Sequence, residues 1–434
     1  MALPALFLAF GRPSPFQRAG IAKASTDPPK FDTIRRVPHN ALDWKSISKG
    51  ARKMKTSILV GFCLLLVLVP SLATFAGGNV EPATADAEPV FAKEVLKDYG
   101  TGDHCRFAAG GGELTLKSVT DMPVFPKAKK RYKIGFANYF AFDDCGSQLM
   151  KYVPEAGAEC GVEVLAYDCN WDPIKQTEVI DSWIMQGVDG VILSALDPYG
   201  IEPSLIKLHK AGIRVVCFEN PPLVNWVDCI VIPDPDYGGY MAAKYLFQKL
   251  GSKANNSKIA LLRVPEWYWT IEGRELGFRQ YIKEKGYNVQ ILVGQGLEVE
   301  DHHDRFENIL QANPDLTAGY GTYSSSVIGM VQATLALGRM KDVTIVGYDI
   351  DRPIEAAVKQ GYVVASPAYS MRQSSSYMVA HMVNILNGNL AKVPAITWMA
   401  TEPILPENVD KMYETFFEGE TLKQYMEGQL EAKK

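Results

Sequence analysis

Excess positive charge is the first thing this sequence lacks: 45 Lys and Arg face 49 Asp and Glu, a formal net charge of -4. Without a basic field to hold a phosphate backbone, no nucleic-acid partner is expected. Catalytic signatures are missing as well. There is no G-x-x-x-x-G-K-[ST] loop, no G-x-S-x-G elbow and no H-E-x-x-H pair, so the chain is expected not to be an enzyme. Gly294-Gln295-Gly296 lacks the third glycine of a dinucleotide loop and reads as an ordinary turn, and no cofactor is expected. No C-x-x-C or C-x-x-H spacing suggests a metal site. Histidine numbers only 6, and Asp301-His302-His303-Asp304 reads as a solvated helix start, because neighbouring helix positions point in different directions. Long apolar runs are scarce too. The one at residues 58–69 is too short to cross a bilayer core of about 30 Å.

What is there is globular material, 47% hydrophobic and 22% charged, enough for one or two buried cores. The short apolar run follows Arg52, Lys53 and Lys55 and precedes the small residues of SLATFAGG, which is the layout of a cleaved secretory signal. Cleavage is expected after Ala73 or Ala76. A retained anchor reaching Phe75 is the weaker reading, since Pro70 and Ser71 interrupt the run. Cys63 lies deep in that run behind the bulky Phe62, which disfavours lipidation. Residues 1–53 have neither sustained periodicity nor a core and are expected to be a mis-called or unstructured extension, with Met54 the true start. Export permits disulfides among Cys105, Cys145, Cys160, Cys169, Cys217 and Cys229, and spacing alone selects no pairing.

Residues 54–76 form the signal, and residues 77–130 a leader that packs on the body and ends in the solvated basic stretch KAKKR. From residue 131 strand-like and helix-like runs alternate strictly: YKIGFAN, GSQLMKYVPEAGAECG, VEVLAYD, PIKQTEVIDSWIMQG, VDGVILSA and onward. Helices are expected to end at Gly161, Gly187, Gly212, Gly251, Gly286, Gly338 and Gly361. Such alternation predicts an α/β fold with parallel sheets covered on both faces. The number of pairs exceeds one open sheet, so two doubly wound lobes joined by a hinge are expected. Residues 131–232 with 370–395 make the N-terminal lobe, 233–369 with 396–410 the C-terminal lobe, and 411–434 a helical tail.

In open parallel sheets ligands lie at the carboxyl ends of the strands. Asn138, Tyr139, Phe140 and Phe142 follow the first strand. Glu219 and Asn220 follow VVCF; Trp267 and Tyr268 follow IALLRV; Tyr323, Asp349 and Tyr369 follow later strands. Rings beside carboxylates and amides suit a sugar, whose C–H face stacks while its hydroxyls bond planar groups. The same set suits an alkylammonium cage. Ser324, Ser325 and Ser326 read as caps of the helix after Tyr323.

These segments resemble the type I periplasmic binding proteins of the ribose-binding class, which share their fold with the effector domains of lactose-repressor relatives. The likeness runs over residues 132–406. IGFANYFAF is similar to the family's first-strand segment, YGGYMAAKYL to the helix opening the second lobe, and EGRELGF to the R-x-x-G-F helix that presents an arginine, here Arg274 or Glu272, to the ligand. TIVGYD places Asp349 at the family's ligand-binding aspartate. VVCFEN carries Glu219-Asn220 where an Asp-Arg pair is usual, and Tyr369 and Tyr323 replace a Gln and an Asn or Asp. The resemblance implies a monomeric periplasmic solute-binding protein that closes on a small ligand, most simply a sugar or polyol, and docks on the permease subunits of an ABC transporter. Its alternative is a sensor presenting a small molecule, such as a methylated amine, to a membrane histidine kinase. A secreted hydrolase using the Asp/His cluster is the enzyme-class alternative. The signal and the lack of a helix-turn-helix before Arg131 exclude a repressor.

Overall fold

The computed structural model describes residues 118–222, 226–265 and 268–431. The expected signal segment, Met54, Cys63, Cys105 and Trp267 lie outside the described residues.

The first sheet takes its strands from short, nearly continuous apolar runs: β1 (Lys133–Asn138), β2 (Glu163–Asp168), β3 (Gly190–Leu193), β4 (Arg214–Phe218) and β5 (Cys229–Pro233). Every residue of β3 and β5 is buried, as parallel strands covered on both faces require. Between them lie α1 (Asp144–Cys160), α2 (Pro173–Gln186) and α3 (Glu202–Lys210). Asp143 and Asp172 start the first two by accepting backbone N–H groups of the opening turn, and Pro173 occupies the first position of α2. Gly161 ends α1 at φ 79°, in the left-handed region that a side chain resists.

A second sheet follows, built of β6 (Lys258–Arg263), β7 (Gln290–Gln295), β8 (Ala318–Gly321) and β9 (Thr344–Val346), with α4 (Pro235–Leu250), α5 (Trp269–Lys285), α6 (Val299–Ala312) and α7 (Ser324–Ala336) around it. The chain then runs through α8 (Arg352–Lys359), β10 (Ser366–Ala368), α9 (Met371–Leu386), β11 (Ile396–Met399), β12 (Glu402–Ile404), α10 (Val409–Phe416) and α11 (Leu422–Glu431). The sheets have the orders β11-β5-β4-β3-β1-β2 and β7-β6-β8-β9, all parallel, and β10 pairs antiparallel with β12 in a small ribbon. The fold is therefore the expected pair of doubly wound lobes. Three chain segments pass between them: at Asp234, at Tyr369 and Ser370, and at Ala400 and Thr401.

One boundary is corrected. Residues 396–399, expected in the second lobe, form β11 and pair in parallel with β5, Ile396 against Ile230 and Trp398 against Ile232. Buried Trp398 belongs to the same core as Val215 and Ile230, so apolar packing draws this strand back before the chain recrosses.

The glycines of YGGY and RELGF set the next step. A Cβ on Gly239 would come within 1.9 Å of the Arg274 carbonyl oxygen, and one on Gly277 within 1.9 Å of the Asp236 carbonyl oxygen. Helices α4 and α5 thus pack backbone against backbone, and that contact fixes the turn of α5 carrying Arg274. The five described cysteines 145, 160, 169, 217 and 229 are buried free thiols. Among the described residues no helix is long and apolar enough to cross a membrane.

Candidate functional site

The carboxyl ends of the strands of both sheets face one cleft. From the first sheet come Tyr139, Phe140, Phe142 and Asp143 after β1, Trp171 after β2 and Glu219 after β4; from the second come Tyr268 and Arg274 after β6, Leu297 after β7, Tyr323 after β8 and Asp349 after β9. Tyr369, on a crossing segment, completes the wall. The cavity between them is about 40 Å³, room for about three water centres. A sugar-sized ligand enters only when the walls part or the rings turn.

Arg274 is the centre of the polar end. Its side chain is 2% exposed, and its two terminal nitrogens meet Asp349 at 3.1 and 3.0 Å, the Thr322 carbonyl at 2.9 Å and Glu219 at 3.4 Å. The guanidinium lies 3.8 Å from the Tyr348 ring centroid, a stacking that lysine does not reproduce. Tyr369 donates its hydroxyl to the same Glu219 carboxylate. Burial raises the pKa of Glu219 and of Asp349, and Arg274 opposes the rise in both. Glu272, the other reading of that helix, instead pairs with Arg263 outside the cavity lining.

Glu219 points inward because the backbone turns sharply there: it has φ 58°, and Asn220 N–H donates to the Phe218 carbonyl at 2.6 Å. Asp349 has φ 78° and Trp171 φ 58°. Among the described residues five non-glycine positions have positive φ, and these three of them line the cavity. Each such conformation costs about 1–3 kcal/mol and persists only where surrounding structure imposes it.

The apolar end is a wall of rings. Phe140 and Phe142 stack at 4.1 Å, Phe140 and Trp171 lie 4.9 Å apart, and Trp171 reaches Tyr268 of the other lobe at 5.5 Å. Val264, Tyr268 and Ile271 form a small core with Trp171, Leu297 and Tyr323 against it.

Nine of the twelve residues expected at the site line this cavity. Asn138 does not: it is buried, and its amide donates to the Phe140 and Gly146 carbonyls, holding the loop that carries the rings. Asn220 also turns away. It accepts the Trp269 N–H at 3.0 Å and donates to the Ala195 carbonyl, clasping the first sheet to the start of α5. Trp267 lies outside the described residues. Tyr323 lines the cavity with its ring, but its hydroxyl lies 2.6 Å from the Leu297 carbonyl and 2.7 Å from His302 Nε2. His302 is thus buried, with its pKa lowered to about 4 by desolvation, which corrects the expectation of a wholly solvated Asp301–Asp304 helix start. Trp171 and Asp143 were missing from the expected set. Both follow first-sheet strands, where the strand-end rule applies.

A second set of contacts joins the lobes beside the cavity. Asp144, first residue of α1, and Asp351, which precedes α8, exchange caps: Asp351 Oδ1 accepts Asp144 N–H and Asp144 Oδ2 accepts Arg352 N–H, both at 2.8 Å. The Arg352 guanidinium pairs with Asp144 and, at 2.9 Å, with Glu420. Asp144→Ala leaves a helix N–H without its acceptor and removes the pair. The closed form is expected to weaken by about 1 kcal/mol, given the partial exposure of Arg352. Small-angle scattering checks this as a larger radius of gyration without ligand.

Asp143 lies next to this junction, and burial, together with Asp349, Asp144 and Glu219, lifts its pKa to about 8 against the hydrogen bond from Gly146. An acid whose folded pKa is raised leaves stability intact below its unfolded value and lowers it as pH climbs to the folded one. Asp143→Asn is therefore expected to stabilise the protein little at pH 4 and increasingly up to about pH 8. Melting curves across that range check it, and a gain independent of pH contradicts it.

Residues 134–390 match a family model described as a periplasmic binding protein domain. The chain is similar to the ribose import binding protein RbsB of Bacillus subtilis, 27% identical over 243 residues, which are 55% of this chain and 77% of that one. It is also similar to the D-ribose/D-allose-binding protein of Pseudomonas aeruginosa, 25% identical over 50% of this chain and 69% of that protein. A solved solute-binding protein of Agrobacterium vitis bound with alpha-D-tagatopyranose superposes with a TM-score of 0.62 at 19% identity, covering 67% of this chain and all of the other.

Proposed function

The chain belongs to the periplasmic binding protein family, whose model spans more than half of it, and from that membership we propose that it captures a sugar or polyol in this cleft for ABC-type uptake. The family places it in the periplasm; export by a cleaved signal between residues 54 and 76 is part of the proposal. Binding between two lobes joined by three crossing segments favours a closed form only if the ligand touches both walls. Both walls offer partners: Glu219, Phe140 and Trp171 from one, Arg274, Asp349 and Tyr268 from the other. The closed form then docks on permease subunits as a monomer, without catalysing a reaction.

One observation carries this reading. Glu219, Trp171 and Asp349 hold unfavourable backbone conformations, and all three aim at the same cavity from strand ends of two different sheets. Packing alone gives no reason for that coincidence.

A thermal-shift screen of the chain from Gly77 against sugars, polyols and methylated amines tests the proposal. A ligand at 100 times its dissociation constant adds about 2.7 kcal/mol. A rise in melting temperature with sugars or polyols supports uptake. A rise with methylated amines alone rejects it in favour of a sensor that addresses a histidine kinase.

A further inference from the structure

Resting on the reading of this cleft as a sugar site, we propose that its ligand carries a positive charge, the fitting chemistry being an amino sugar whose ammonium group lies at the Asp143 edge of the cavity. The cleft and the junction beside it hold more acid than base. Glu219, Asp349 and Asp143 line the cavity with Arg274 as the one guanidinium among the described residues there. Arg274 is already committed, fork to carboxylate with Asp349 and by its second nitrogen to Glu219. The residue after Glu219 is Asn220, an amide without charge and turned to backbone partners.

Behind the cavity the imbalance grows. Arg352 answers Asp144 but is shared with Glu420. Asp143 gives one oxygen to the Gly146 N–H and has no ion-pair partner among the described residues. Asp351 is 3% exposed; its Oδ1 accepts the Asp144 N–H, its carboxylate lies beside the Ser324 hydroxyl, and no cation among the described residues pairs with it. Ligand atoms of Asp143, Asp351 and the Cys145 thiol lie within 4.8 Å of one another. Carboxylates this close, Asp351 buried and Asp143 half-buried, draw in a positive charge, whether a proton, a metal ion or a ligand cation.

The surroundings decide among the three. A metal would find two carboxylates and the Cys145 sulfur, which already lies 3.1 Å from the Ile350 carbonyl, a set short of the six to eight oxygens that a calcium site takes. A proton answers the charge when nothing else does, in keeping with the raised pKa of Asp143. An ammonium group finds more here than a proton does. Tyr139, Phe140 and Trp171 line the same cavity as the acids, and such rings attract an organic cation through their quadrupoles.

Titration calorimetry of the wild-type protein in EDTA, with D-glucose and D-galactose, their 2-amino analogues, their N-acetyl analogues and choline, tests the proposal. The N-acetyl sugars keep the size of the substituent without its charge. An amino sugar is expected to bind at least about tenfold more tightly than its parent and its N-acetyl form, with affinity falling as NaCl rises, and Asp143→Asn is expected to erase the preference. Neutral sugars binding as well as or better than amino sugars overturn the charge and leave the sugar reading standing. Choline binding while every sugar fails upholds the charge and rejects the sugar reading. No binding by any probe overturns the proposal, as does stabilisation by Ca²⁺ or Zn²⁺ alone, read in melting curves without EDTA, that is lost in Asp143→Asn.

Discussion

Unfolding of an Arg274→Ala variant is expected to require about 3–5 kcal/mol less free energy at pH 7 than the wild type, the cost of removing one partner from a buried charge cluster. The guanidinium is 2% exposed and holds two carboxylates that would otherwise face each other across the lobes. Without it Glu219 and Asp349, whose pKa values burial already raises, are pushed further up. The sign follows from linkage: the deficit is smallest below about pH 4, where the unfolded carboxyls are protonated too, and grows as pH rises towards the folded values. Denaturant unfolding at pH 4.5 and 7.5 checks it, and a deficit equal at both pH values contradicts it. Arg274→Lys is expected to recover only part of the loss, since an ammonium replaces neither the fork to Asp349 nor the stack on Tyr348.

Asp349→Ala acts on binding more than on folding. Its carboxylate faces the cavity from the end of β9, held there by a backbone at φ 78° whose carbonyl accepts the Ser366 hydroxyl at 2.8 Å. In a closed, largely dry cleft the loss of a charge-assisted hydrogen bond to ligand costs about 2–4 kcal/mol, a weakening of about 30-fold to 1,000-fold. Calorimetry with a sugar found in the screen reads it directly. Alanine also relieves part of the mutual repulsion with Glu219, so the melting temperature of the free protein is expected to fall less than in Arg274→Ala. Unchanged affinity removes Asp349 from the site.

The alternation of strands and helices was legible because most parallel strands are short apolar runs ending at polar or aromatic residues, and most helices close on a glycine or one residue before it. The cavity was largely legible for the same reason, since residues after strands of open α/β sheets converge. Asn138 and Asn220 show where that rule stops. A strand-end amide equally serves backbone carbonyls, and only three-dimensional placement shows which partner it takes. Trp171 was overlooked because it follows β2 within a turn of two left-handed residues, Asn170 and Trp171, a conformation no hydrophobic period marks. Pattern alone could not return β11 to the first sheet either. Periodicity predicts that residues 396–399 are a strand, whereas its neighbour is set by the packing of Trp398 across the interlobe crossing. The exchanged caps of Asp144 and Asp351 join residues more than two hundred positions apart, a separation no local motif spans.

The central claim, a single ligand site built by both lobes, is tested most directly by titrating wild-type protein with one sugar and repeating the titration with Asp349→Ala. The account predicts one site per chain in the wild type, with binding weakened at least 30-fold, the lower bound of about 2 kcal/mol, in the variant. Wild-type affinity retained by Asp349→Ala, or several weak sites in place of one, contradicts it.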